Sequence, residues 1–151
     1  MPITPPPGGP VSAAVAKQIL FSTTRLGNGG NINNANSTNY ISMGSMTIST
    51  AEVDTELVMP CAGTVTNLYV RTGSTAATGG ESFPVTTFTI RKNGVDTAVT
   101  LQLTQETSTT SSDTTHSVEF AAGDLLTISV VTDSSGNSTS FVSISMEFVP
   151  L

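Results

Sequence analysis

His116 is the single histidine among 151 residues, and Asp113 lies three residues before it in a stretch crowded with serine and threonine. A histidine held by a carboxylate next to a hydroxyl is the equipment of a hydrolytic triad. A triad is defined by geometry, however, and residues 107–117 carry no strained nucleophile turn, glycine elbow or oxyanion donors; they read as a Ser/Thr-rich loop. Glu52, Asp54 and Glu56 alternate, so on a strand all three carboxylates would share one face and could ligate Ca²⁺. The competing reading is a solvated strand edge that uses charge against edge-to-edge pairing. Asp133-Ser134-Ser135-Gly136-Asn137 brings oxygens together near a glycine, but it lacks the spacing and the terminal bidentate Glu of a calcium loop, and a hairpin loop accounts for it. Cys61, the only cysteine, follows Pro60 and precedes Ala62-Gly63. With no His or Lys beside it to favour the thiolate, it is expected to be a buried, inert thiol. The sequence therefore assigns no catalytic, cofactor-binding or metal-binding residue and no cofactor, and the chain is expected not to be an enzyme.

Binding chemistry is constrained by composition. Charged residues make up 11% of the chain, against about 25% in an ordinary soluble domain, and Ser and Thr take much of the remaining surface. Five Lys and Arg with a net charge of -6 leave no basic stripe to neutralise phosphates, which excludes nucleic acid as the expected partner. The acidic residues are scattered from Glu52 to Glu147, a solubility device rather than a steering field. Two tyrosines, Tyr40 and Tyr69, and no tryptophan are a thin supply of rings for stacking sugars. Asn36-Ser37-Thr38 and Asn137-Ser138-Thr139 match the N-glycosylation pattern. The start of the chain does not have the charged-then-apolar form of a signal peptide, and no apolar run approaches the roughly 18 residues of a membrane span. No membrane partner and no glycosylation are expected, and Met1 suits a complete gene product.

The elements that would position these residues are strands. The length fits one domain, and a lone cysteine cannot make an internal disulfide, so burial and sheet hydrogen bonds must hold it. Residues 1–14 are rich in Pro and Gly, which favours an extended arm. Residues 15–38 hold a first strand over 17–23, with a short helix over 12–20 as the alternative, then a loop crowded with Asn and Gly. From 39 to 151 the hydrophobic period is two. Val142, Ile144, Met146 and Phe148 alternate with Ser143, Ser145 and Glu147, an alternation no helix reproduces. Phe88 and Ile90 alternate with Thr87, Thr89 and Arg91, and Val99, Leu101 and Leu103 with Thr100, Gln102 and Thr104. Between these runs Asn93-Gly94 supplies the two positive-φ residues of a tight hairpin. Further strands are expected over 40–49, 52–59, 64–72, 115–120 and 124–132. Many short strands and no α/β alternation predict an all-β, antiparallel β-sandwich or jelly roll rather than a parallel-sheet fold.

Phe120-Ala121-Ala122-Gly123-Asp124 leading into Leu125-Leu126-Thr127-Ile128, with the closing strand from Thr139 to Phe148, resembles the last two strands of the trimeric jelly-roll domains of the C1q and tumour-necrosis-factor type. No Gly-X-Y stalk precedes them here. Together with Met59-Pro60-Cys61-Ala62-Gly63-Thr64-Val65, Asn67-Leu68-Tyr69-Val70-Arg71 and Phe88-Thr89-Ile90-Arg91-Lys92-Asn93-Gly94, the chain is similar in texture to small jelly-roll surface proteins of tailed phages. This resemblance implies a virion structural protein that decorates the assembled capsid. It implies self-association as a homotrimer, contact with the major capsid protein or another virion protein through the N-terminal arm, and a place on the capsid surface after assembly in the host cytoplasm. The alternative it leaves open is the receptor- or glycan-binding tip of a fibre, or a bacterial surface jelly-roll protein.

Overall fold

The computed structural model describes residues 16–25, 38–44, 48–72, 85–104, 110–132 and 141–151. The strands are β1 (Gln18–Arg25), β2 (Thr38–Ile41), β3 (Ile48–Ser49), β4 (Leu57–Val58), β5 (Gly63–Thr72), β6 (Val85–Lys92), β7 (Val95–Thr104), β8 (Thr110–Phe120), β9 (Leu125–Thr132) and β10 (Phe141–Pro150). One sheet has the order β1-β10-β5-β8; the other runs β3-β2-β9-β6-β7, with β4 attached to β9. Every pairing is antiparallel. The chain is thus an all-β sandwich.

Side-chain alternation explains why the sheets close on each other. β10 turns Ile144, Met146 and Phe148 inward and leaves Ser143 in solvent. β6 does the same with Phe88 and Ile90, and β7 with Val99, Leu101 and Leu103. Val65, Leu68 and Val70 from β5 and Leu126, Ile128 and Val130 from β9 complete a single core. The two-residue spacing of β5 breaks between Val65 and Leu68. Asn67 takes φ 54° there, and the register of β5 against both β10 and β8 shifts at the same place. Asn tolerates the left-handed region better than other residues with a side chain, so the bulge falls on it.

The close approach of β5 to β10 fixes another position. A Cβ on Gly63 would stand 2.4 Å from Phe148 Cζ and 2.7 Å from the Val149 carbonyl oxygen. The ring could turn, but the backbone oxygen could not. Gly63→Ala is expected to cost about 2 kcal/mol of stability through overpacking, read as a lower urea midpoint with an unchanged m-value.

Several sequence expectations hold. The residue 17–23 segment is a strand, in β1, and the Asn93-Gly94 hairpin is formed, with φ 51° and 78°. Other expectations are corrected. Residues 40–49 are not one strand but the antiparallel pair β2 and β3, because the chain turns at Met43 and Gly44, where Gly44 has φ 76°. Residues 52–59 are not one strand either. Glu52–Asp54 forms a 3-10 turn and only Leu57–Val58 pairs, with β9. The turn is held by Thr55, whose N–H and Oγ1 both donate to the Glu52 carbonyl at 2.9 Å. The Ser/Thr segment expected as a loop over 107–117 is strand β8 from Thr110 onward. The arm over 1–14, most of the Asn/Gly-rich loop and the loop containing Asp133 to Asn137 lie outside the described residues, as do Asn36 and Asn137.

Candidate functional site

Four features of the sandwich could act on a partner or ligand. The first is where β7 and β8, edge strands of different sheets, meet. β8 bulges opposite Asn67, since Leu68 pairs with Asp113 but Thr66 pairs with Ser117. The bulge turns Asp113 inward, where it is 6% exposed. Asp113 Oδ2 accepts the Thr100 N–H of β7 at 3.1 Å. Oδ1 accepts the N–H groups of Thr115 and His116 at 3.1 and 3.2 Å and the Thr115 hydroxyl at 3.0 Å. His116 Nδ1 lies 3.0 Å from Oδ2. Burial pushes the Asp113 carboxyl up, but the hydrogen bonds from Thr115, Thr100 and His116 outweigh it and hold the group well below the usual carboxylate range.

The structure therefore brings together the pair His116 and Asp113 that the sequence singled out. The nearby Thr115 hydroxyl reaches the same ring nitrogen, Nδ1, at 3.2 Å. Among the described residues, the ring's hydrogen bonds all run through Nδ1, so no hydroxyl is engaged at the nitrogen that a triad base would use. Geometrically the cluster is a lock between the two sheets.

The second feature is the tip of the β6–β7 hairpin, docked on the turn between β8 and β9. Asn93 donates from its backbone N–H to the Leu125 carbonyl at 2.9 Å, and its Nδ2 donates to Asp124 Oδ1 at 2.8 Å. Its Oδ1 accepts the Leu125 N–H at 2.8 Å. Lys92 Nζ lies 3.0 Å from Asp124 Oδ2 and donates to the Glu119 carbonyl at 2.8 Å. The Asn93 amide, the Ala121 N–H and Lys92, in that order, pull the Asp124 carboxyl down to about 2. The Gly-Asp motif noted in the sequence is the receiving half of this clasp.

The third is the outer face of the six-stranded sheet, where residues 50–56 lie across it. Arg91 donates from Nε to Glu52 Oε1 at 2.7 Å, bonds Asp96 and the Gly94 carbonyl through Nη1 and Nη2, and stacks over Tyr40 at 5.6 Å from the ring centroid. Thr55 and Thr127 share a buried hydroxyl contact at 3.0 Å. Asp54 accepts the Ser49 hydroxyl at 2.7 Å. Glu52, Asp54 and Glu56 thus do not form the shared carboxylate face that a strand would have given them. Among the described residues no group of three or more His, Cys, Asp or Glu side chains is placed to hold a metal ion.

The fourth is the outer face of the four-stranded sheet. Tyr69, 46% exposed, stands at its centre between its cross-strand neighbours Ser145 and Ser112. Lys17 donates to Glu147 at 3.0 Å, and Asn67 Nδ2 donates to the same oxygen at 2.9 Å. That carboxyl is lowered, first by Lys17 and then by Asn67. The outer face otherwise presents many small hydroxyl groups, with Arg71 and Glu119 towards its ends and Ile19, 68% exposed, beside Glu147. This face was not legible as a site, because Tyr69 in the sequence is one aromatic in a run of alternating residues.

Cys61 departs from expectation. It is exposed rather than buried, because it lies in the Pro60-to-Ala62 bend ahead of β5 rather than on an inward strand position. An apolar groove of about 260 Å³ lies between β1 and the opposing sheet, lined by Ile19, Leu20, Met43, Gly44 and Leu57. Comparison with protein-family models, curated proteins and solved structures finds no match to the chain.

Proposed function

We propose that the chain is a non-enzymatic structural protein that coats an assembled shell, a capsid decoration protein of the tailed-phage type. Its sandwich is a jelly roll that self-associates as a homotrimer, and its N-terminal arm binds the shell protein. The strand order supports the jelly roll: in each sheet a late strand lies between two early ones, with β10 between β1 and β5 and with β9 between β2 and β6. Two sheets interleaved in this way suit a double Greek-key path.

The observation that carries the reading is the contrast between the two outer faces. The six-stranded sheet is partly covered by its own chain through Glu52, Thr55 and Arg91. The four-stranded sheet leaves Tyr69 and Ile19 exposed among hydroxyls, and Lys17 and Glu147 neutralise each other on it. Depletion of net charge around a central aromatic is the composition of an interface core. An arm of Pro and Gly that cannot build a core of its own is useful where a partner orders it.

Two variants test this together on purified particles. Tyr69→Glu is expected to convert the oligomer to monomer in sedimentation while leaving the β-rich circular dichroism unchanged. Deletion of residues 2–14 is expected to leave both fold and oligomer intact but to lower occupancy on assembled shells by about tenfold or more at equal concentration. A monomeric wild type would sink the self-association claim, and undiminished occupancy of the truncated chain would sink the role of the arm.

A further inference from the structure

The Asn93-Gly94 dipeptide that makes the hairpin is also a chemically labile sequence. Glycine has no side chain to hinder its own amide nitrogen, so in a freely moving chain that nitrogen can reach the carboxamide carbon of the preceding asparagine. Once deprotonated by solvent hydroxide, the Gly94 nitrogen bonds Asn93 Cγ; the Cγ–Nδ2 bond breaks and the nitrogen leaves as ammonia, taking its proton from water. Water then opens the cyclic imide at either carbonyl to leave aspartate or isoaspartate. No oxidant or reductant is needed.

The fold engages both ends of this carboxamide. Oδ1 accepts the Leu125 N–H and Nδ2 donates to Asp124, each at 2.8 Å. The backbone at Asn93 is held as well, by its own N–H on the Leu125 carbonyl at 2.9 Å. Cγ cannot swing towards the Gly94 nitrogen without breaking two hydrogen bonds that the side chain makes to the neighbouring turn. Residues 93 and 94 are nonetheless exposed, so water and hydroxide have access whenever the clasp opens.

We propose that Asn93 is a latent deamidation site, protected by its hydrogen bonds to the Asp124 turn, whose conversion opens the clasp between the β6–β7 hairpin and the β8–β9 turn. The second half follows from the donor inventory. Deamidation replaces the Nδ2 donor with an acceptor oxygen, so a new carboxylate would face Asp124 Oδ1 at hydrogen-bond distance. Lys92, 3.0 Å from Asp124 Oδ2, is one cation against two negative charges. The reaction is irreversible, so the open state accumulates with the age of the molecule.

The test follows deamidation at residue 93 by peptide mass spectrometry in mildly alkaline buffer. It compares native full-length protein, the same protein in urea, and Asp124→Ala. Native protein is expected to convert more slowly than the urea-unfolded chain by about tenfold or more, because attack waits for local opening. Asp124→Ala, folded by circular dichroism, is expected to convert several times faster than wild type. Asn93→Asp, as the mimic of the product, is expected to melt below wild type, with the gap narrowing as acid protonates the new carboxyl. Equal rates in native and unfolded wild type would overturn the protection. A wild-type melting temperature for Asn93→Asp would overturn the unlatching.

Discussion

Ile144→Asp and Met146→Asp each leave the chain unfolded, as the expected result of placing a carboxylate at the centre of the core. Both side chains are 1% exposed, and β10, flanked by β1 and β5, has no open edge through which water could follow the charge. Each substitution removes about 2–5 kcal/mol of apolar burial and packing and adds the several kcal/mol that an unpaired buried ion costs. The sum is comparable to the roughly 5–15 kcal/mol by which domains are stable. Circular dichroism and solubility report the outcome. Ser145→Asp is the register control: its side chain lies on the outer face beside Tyr69, so the fold survives and only the proposed self-association through that face would suffer. A melting temperature for Ile144→Asp equal to wild type would show that the register is wrong.

Asp113→Ala is expected to cost about 3 kcal/mol, because three backbone N–H groups lose their shared acceptor, each worth about 1 kcal/mol or more when its acceptor is charged. One of the three, from Thr100, belongs to the opposite sheet. His116→Ala leaves those three bonds in place and is expected to cost about 1 kcal/mol or less. The pH dependence has a defined sign. Hydrogen bonds hold the Asp113 carboxyl below its ordinary value in the folded state. Its contribution is therefore complete above the unfolded carboxylate pKa and is lost as pH falls below it towards the folded value. Urea midpoints of wild type and Asp113→Ala should differ most near neutrality and converge in strong acid. A gap that persists unchanged in acid would remove the carboxylate from the account.

The parts of the fold that were legible in the sequence are those where one residue type decides the outcome locally. Alternation placed the inward residues of β6, β7 and β10, and Asn93-Gly94 placed the hairpin. The parts that were not legible depend on partners distant in the chain. Residues 52–56 alternate like a strand, yet Glu52 is drawn to Arg91 and Thr55 to Thr127 over the outer face of the six-stranded sheet, and those contacts decide the 3-10 turn. Position 61 showed a small apolar neighbourhood, but a bend before β5 turns the thiol outward. The His116 and Asp113 pair was legible as a pair. Its meaning was not, since the deciding contact is the Thr100 N–H, which belongs to an edge strand of the opposite sheet.

The two open sides of the sandwich differ in a way that makes it resemble a bound book. Along the side where β7 meets β8, the Asp113 carboxylate stitches one sheet to the other through Thr100, and this is the spine. Along the opposite side, β1 faces the Met43–Gly44 turn and β4 across the apolar groove, and this is the fore-edge. Parting the two sheets at the spine costs a hydrogen bond to a buried carboxylate, whereas the described residues at the fore-edge line an apolar groove.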